Sequence, residues 1–203
     1  MQIHTAKQPD FINNQYEYLL VANPDEDVLN KVMNEKQVFY DRYKEDGAVK
    51  SKPYITVANF WAMETMEATV IRWIERICSK HHSFNVALNN FSGFPPHTIY
   101  LRVQNPQPFK LLAKQLKVIS DYIKDNNCPT PKLIDRPHLT IARRLPEDVY
   151  SKAMLDYSQR DFHSSFMVNE LVMLKRKHQF DSCEKVMVFR FLPEEADLFS
   201  ATA

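Results

Sequence analysis

The residue types in this chain best suited to moving a proton and gripping an anion lie together in Arg136-Pro137-His138-Leu139-Thr140-Ile141-Ala142-Arg143-Arg144. An imidazole exchanges protons near neutral pH, and a hydroxyl donates to anionic oxygen. Leu139 and Ile141 alternate with His138 and Thr140, which predicts a strand with the apolar pair on one face and the polar pair on the other. Side chains two apart on one strand face lie about 6.5–7 Å apart, so both polar groups would reach the oxygens of one phosphate-sized anion. A lone strand histidine is more often a hydrogen-bonded structural residue than a catalyst. Here, however, the phrase occurs twice.

Pro53-Tyr54-Ile55-Thr56-Val57-Ala58 matches Pro137-His138-Leu139-Thr140-Ile141-Ala142 in residue class at every position but one. Tyr54 stands where a second histidine would be. A phenol with an ordinary pKa near 10 stays protonated at neutral pH, so Tyr54 would donate a proton or hydrogen bond and make a poor base.

The paired Pro-(His/Tyr)-aliphatic-Thr-aliphatic-Ala phrases resemble the two H-x-T/S motifs of the 2H phosphoesterase superfamily, which includes 2′-5′ RNA ligase-like proteins and cyclic nucleotide phosphodiesterases. The order of elements from about Tyr16 to Phe191 resembles that family too: a strand ending in Asn23-Pro24-Asp25, a helix, the first motif, a helix, a middle strand, a helix and the second motif. The resemblance implies an α+β fold of two pseudo-symmetric lobes, each an antiparallel sheet backed by helices, facing a central cleft. It also implies metal-independent chemistry, without a cofactor, on a 2′,3′-cyclic phosphate or 2′-5′ phosphodiester of a nucleotide or RNA terminus. By position, His138 would be one acid/base group, Tyr54 would occupy the place of the other, and Thr56 and Thr140 would bind phosphoryl oxygens. In-line displacement needs a proton taken from the entering oxygen and one given to the leaving oxygen on opposite sides of phosphorus. His138 as base and Tyr54 as donor would meet that demand.

The change to Tyr54 keeps two other readings open. One is a catalytically impaired protein of the same fold that binds a nucleotide or RNA end without turnover, and the other is an interaction module. The second is weakened by Thr56 and Thr140, which persist although packing needs neither.

The composition fits this frame. A chain of 203 residues, 44% hydrophobic and 25% charged, is expected to form a single two-lobed domain over 1–203, with 1–14 and 194–203 as loose ends. Its net charge of +1 argues against a broad footprint for a DNA duplex and leaves room for a nucleotide or RNA end. Cys78, Cys128 and Cys183 read as free thiols of a reducing compartment, and no His/Cys grouping has zinc-site spacing, which points to a cytoplasmic protein without a metal. No apolar run approaches a membrane span. Gly47 and Gly93 are the two glycines, so phosphate recognition would fall to side chains rather than to a glycine-rich loop.

The elements around the motifs are read from periodicity. Tyr16 to Val21 reads as a central strand, followed by a helix capped by Asn23 and buried through Val28, Leu29, Val32, Phe39, Tyr40 and Tyr43. Apolar spacing predicts helices over Thr69–Cys78, from Pro108 through Ile123, and from Pro146 through Tyr157. Phe84–Leu88 and His97–Val103 read as strands, with Thr98, Tyr100 and Arg102 on a polar face that would border the cleft. Tyr100, Arg102 and Arg143 are candidate substrate-binding residues. His97 is a poor substitute for the missing histidine, because the adjacent Thr98 would lie on the opposite face. Phe166–Leu174 and Val186–Phe191 read as two strands joined by Lys175-Arg176-Lys177-His178-Gln179, a charged tip expected to be solvated.

Overall fold

The computed structural model describes residues 14–50, 52–178 and 181–194. Most of the expected loose ends, as well as Ser51, Gln179 and Phe180, lie outside that range. In chain order the elements are β1 (Gln15–Ala22), α1 (Glu26–Tyr43), β2 (Ile55–Met63), a 3₁₀ turn (Glu64–Met66), α2 (Glu67–Cys78), β3 (Phe84–Phe94), β4 (Thr98–Val103), α3 (Gln107–Asp125), β5 (Lys132–Leu133), β6 (His138–Arg143), α4 (Glu147–Tyr157), β7 (His163–Val168), β8 (Glu170–Arg176) and β9 (Glu184–Arg190). The strands form one sheet in the order β7-β3-β4-β6-β2-β1-β8-β9, with β5 added to β2, and every pairing between them is antiparallel. This is the expected α+β architecture. Its two halves join edge to edge where the motif strands β2 and β6 meet at the pair Ile55–Leu139.

The helices pack on one face of the sheet, and two of them cross over. α1 leaves the β1–β2 half to pack under β6 and β7, whereas α3 leaves the other half to pack under β2. α4 lies against β3 and β4, and α2 against α3 and β9. The main core therefore runs beneath both halves, from Tyr18, Leu20 and Phe60 to Ile99, Leu101 and Phe166. Gly93 faces α4, and a β-carbon there would collide with the Tyr150 hydroxyl. That close approach explains why the position is glycine.

The two motif strands repeat in structure as well as in sequence. Pro53, Ile55, Val57 and Ala58 are buried while Tyr54 and Thr56 are half-buried, and Pro137, Leu139, Ile141 and Ala142 are buried while His138 and Thr140 are half-buried. Two consecutive buried residues break the alternation of a flat strand. The cause is a bulge: β1 shifts register against β2 at Val57, and β4 shifts register against β6 at Ile141. A bulge inserts one residue and reverses the phase of the side chains beyond it. Hence Thr56 is followed on the open face by Asn59 and Trp61, and Thr140 by Arg143.

Several expectations change. The α1 cap is Asp25, whose side chain accepts from the Val28 N–H at 2.9 Å, rather than Asn23. His97 sits in the turn before β4, where its Nδ1 donates to the Leu145 carbonyl at 2.9 Å, so it is not a strand residue. The predicted strand Phe166–Leu174 is two strands divided at Asn169, with β7 at one edge of the sheet beside β3 and β8 in the other half beside β1. Lys175 and Arg176 belong to β8 rather than to a solvated tip. Lys175 bonds Glu64 at 2.7 Å and Glu67 at 2.8 Å, and Arg176 bonds Glu17 at 2.6 Å. Their charges are satisfied within the fold.

Candidate active site

The face of the sheet opposite the helices carries the candidate site. Ile55 and Leu139 pair with both side chains in the core, so one step each way in antiparallel register sets Thr56 beside His138 and Tyr54 beside Thr140. Neighbours across a strand pair have β-carbons about 4.5–5.5 Å apart, and neighbours along a strand face about 6.5–7 Å. The four side chains thus mark a rectangle in which the threonines hold one diagonal and His138 and Tyr54 the other. That spacing lets both members of the second diagonal reach one phosphorus from opposite sides.

His138 is set up to accept a proton. Its Nδ1 donates to the Arg136 carbonyl at 2.8 Å, which fixes the neutral tautomer with Nε2 unprotonated. Burial pushes its pKa below the usual histidine value, and the Arg136 carbonyl only partly offsets this. Phe94 and Tyr100 flank the ring at centroid distances of 4.9 and 5.0 Å and stack on each other at 4.4 Å.

Tyr54 is the opposite case. It packs against a small apolar cluster on the open face, built on Leu19, Val21 and Val172 with Leu174, Cys183 and Val188 around it. Burial raises its pKa, the Cys183 thiol adds to this, and Arg143 and Arg176 oppose it. Its hydroxyl therefore holds its proton more firmly than an ordinary phenol.

The other candidates from the sequence lie on the same face. Tyr100 pairs with Thr140, Arg102 with His138, and Arg143 with Thr98. Arg102 is exposed and its Nε donates to the Asn89 carbonyl at 3.2 Å. Arg143 is exposed at the Tyr54 end of the site.

Two groups escaped the sequence reading. Lys36, on the core side of α1, is fully buried, and its Nζ donates to the carbonyls of Thr140 at 3.2 Å and Ile141 at 3.1 Å. These carbonyls lie at the β6 bulge, where the ladder to β4 is interrupted, so the ammonium braces the strand that carries His138 and Thr140. Burial, with a smaller effect of Arg143, brings its pKa down to about 8. The signal was the position itself: 36 falls on the apolar stripe of Val28, Val32 and Phe39.

Glu17 is the second. It is 6% exposed on the open face of β1, where its Oε1 accepts from Asn59 and its Oε2 from Arg176, each at 2.6 Å. Burial acts to raise its pKa, but the bonds from Arg176 and Asn59 win and hold it below the usual carboxylate value. A carboxylate between Tyr16 and Tyr18 in a central strand was the available cue.

Among the described residues no three His, Cys, Asp or Glu side chains gather as metal ligands, and no helix is long and apolar enough to cross a membrane. The three cysteines are free thiols.

The fold has close counterparts among solved structures. The structure of TT0787 of Thermus thermophilus superposes with a TM-score of 0.68 at 13% identity, covering 88% of this chain and 99% of that one. E. coli LigT complexed with 3′-AMP superposes with a TM-score of 0.63 at 13% identity, covering 87% and 98%. LigT complexed with phosphate gives 0.62 at 11% identity, covering 88% and 99%. A comparison with curated proteins finds no match. The sequence model of the 2′-5′ RNA ligase superfamily matches residues 25–179, from the cap of α1 through both motif strands to just beyond the end of β8. With that match over most of its length and the motif strands meeting as described, the chain belongs to the 2′-5′ RNA ligase superfamily of 2H phosphoesterase folds.

Proposed function

We propose that this protein is a metal-independent phosphoesterase that opens a 2′,3′-cyclic phosphate or cleaves a 2′-5′ phosphodiester of a nucleotide or RNA end. The observation that carries the reading is the shared face of Tyr54, Thr56, His138 and Thr140 at the single pairing of β2 with β6. The Thr56 and Thr140 hydroxyls donate to the non-bridging oxygens. His138 Nε2 takes a proton from water as the water oxygen bonds to phosphorus. The bond to the leaving oxygen breaks on the far side, and that oxygen takes the Tyr54 proton. Phenolate and imidazolium then exchange protons with solvent to restore the starting state. Phe94 and Tyr100 beside His138 offer an aromatic shelf for a base.

A second reading is binding without turnover, favoured by one observation: burial holds the Tyr54 proton tightly, which makes it a reluctant acid. Hydrolysis of 2′,3′-cyclic nucleotides and 2′-5′ dinucleotides in EDTA separates the two. Turnover that falls by about 10²–10⁴ in His138→Ala supports the enzyme. Saturable nucleotide binding with no wild-type turnover supports the binder.

A further inference from the structure

The open face has a recess one step along β2 from the four-residue site. Glu17, Asn59, Trp61, Pro129, Thr130 and Lys132 line a cavity of about 280 Å³. The β2 bulge places Asn59 and Trp61 there by turning them onto the face that Thr56 shares. Lys132 pairs with Asn59 from β5, and Glu17 pairs with Trp61 from β1. The remaining wall is the 126–131 segment, which brings Pro129 and Thr130 over the cavity.

We infer that this recess is a base-binding subsite for a second nucleoside, on the Thr56 side of the phosphate, so that the preferred ligand is a dinucleotide diester rather than a mononucleotide. The inference rests on the proposed placement of one phosphate at Tyr54, Thr56, His138 and Thr140.

Three features of the recess fit a base. Asn59 lies three residues beyond Thr56, about 10 Å along the strand, so a nucleoside attached to the phosphate spans the gap. The floor is rigid and polar. Glu17 is almost fully buried and is held by Asn59 and Arg176 at 2.6 Å each, while a carboxylate offers about four acceptor sites, two of which these bonds use. N–H donors on a base edge match what remains. Finally, Trp61 supplies an aromatic surface, which every base can stack on. The volume lies near the lower end for small-molecule sites, enough for a base and too small for a duplex. With the Phe94–Tyr100 shelf on the β4 side, the face has two places for bases flanking one phosphate position.

The test is equilibrium titration of the full chain, followed by tryptophan fluorescence and calorimetry, with a phosphorothioate-linked 2′-5′ adenylyl dinucleotide and with adenosine 2′-monophosphate. Wild type is expected to bind the dinucleotide about tenfold or more tightly than the mononucleotide, the range given by stacking one extra base. Trp61→Ala should bring that ratio close to one. Lys132→Ala, at an exposed position, gives a second variant with little risk to folding and should reduce the ratio in part. Equal binding of both ligands by wild type, or a ratio that survives in Trp61→Ala, overturns the subsite. If cyclic mononucleotides are still hydrolysed in that event, the proposed activity stands alone. Failure to bind either ligand overturns both.

Discussion

Replacing Lys36 with methionine should change how stability depends on pH, and the direction follows from the burial of its ammonium. The amine is 0% exposed and its pKa falls from 10.5 to about 8, which corresponds to about 3 kcal/mol of cost for keeping it charged in the native state. Below pH 8 the amine is charged in both folded and unfolded chains, and the whole cost is present. Between pH 8 and 10.5 the unfolded chain holds a proton that the native one has lost, so native stability rises with pH. Lys36→Met removes that cost but leaves the Thr140 and Ile141 carbonyls without this donor, at about 1–3 kcal/mol each. The opposing effects nearly cancel at pH 7, where the variant should lie close to wild type or up to about 3 kcal/mol below it. By pH 10 most of the relief enjoyed by the variant has vanished, and its deficit should grow by about 2.5 kcal/mol. Urea denaturation at intervals from pH 7 to 10 reads this as a midpoint difference that widens by about 1 M, because other titrating groups act alike in both proteins. Parallel wild-type and variant curves would refute the reasoning.

Further predictions concern the site itself. Because His138 must be neutral to accept a proton and burial lowers its pKa, kcat/KM should fall on acidification through a value below 6.5. Because burial raises Tyr54, no alkaline limb from it should appear up to pH 10. Rate profiles with a cyclic nucleotide check both limbs. Thr140→Val and Thr56→Val each delete a hydroxyl expected to bond an anionic oxygen, worth about 1.5–3 kcal/mol, so kcat/KM should fall by about 10–150-fold while urea midpoints stay close to wild type.

The repeated phrases were legible because each joins a strand period to a polar pair, and the shared face of Thr98, Tyr100 and Arg102 followed from the same alternation, while the α+β fold came from the order of helices and strands and the family resemblance of the two phrases. What sequence reasoning lost depended on long-range placement. Phe166–Leu174 reads as one apolar run, with no proline or glycine at Asn169 to show that its halves join different ends of the sheet. The strand bulges were hidden because Val57-Ala58 and Ile141-Ala142 look like ordinary apolar steps, and only pairing shows the extra residue. Strict alternation along β2 would put Asn59 and Trp61 on the core face. Lys36 has no motif around it to mark it as buried, and Arg176 reads as part of a solvated tip. The partners that satisfy them lie 104 and 159 positions away in the chain.

In the proposed mechanism Tyr54 and His138 face the same phosphate from the two acid/base positions. The most direct measurement is the rate of 2′,3′-cyclic nucleotide hydrolysis by Tyr54→His beside wild type and His138→Ala, in EDTA and with folding checked by urea midpoint. A histidine at 54 is a better-matched acid at neutral pH, so the rate should rise by about 10²-fold, within the range for restoring a matched acid/base group. An unchanged or lower rate in the well-folded variant would contradict that placement of Tyr54.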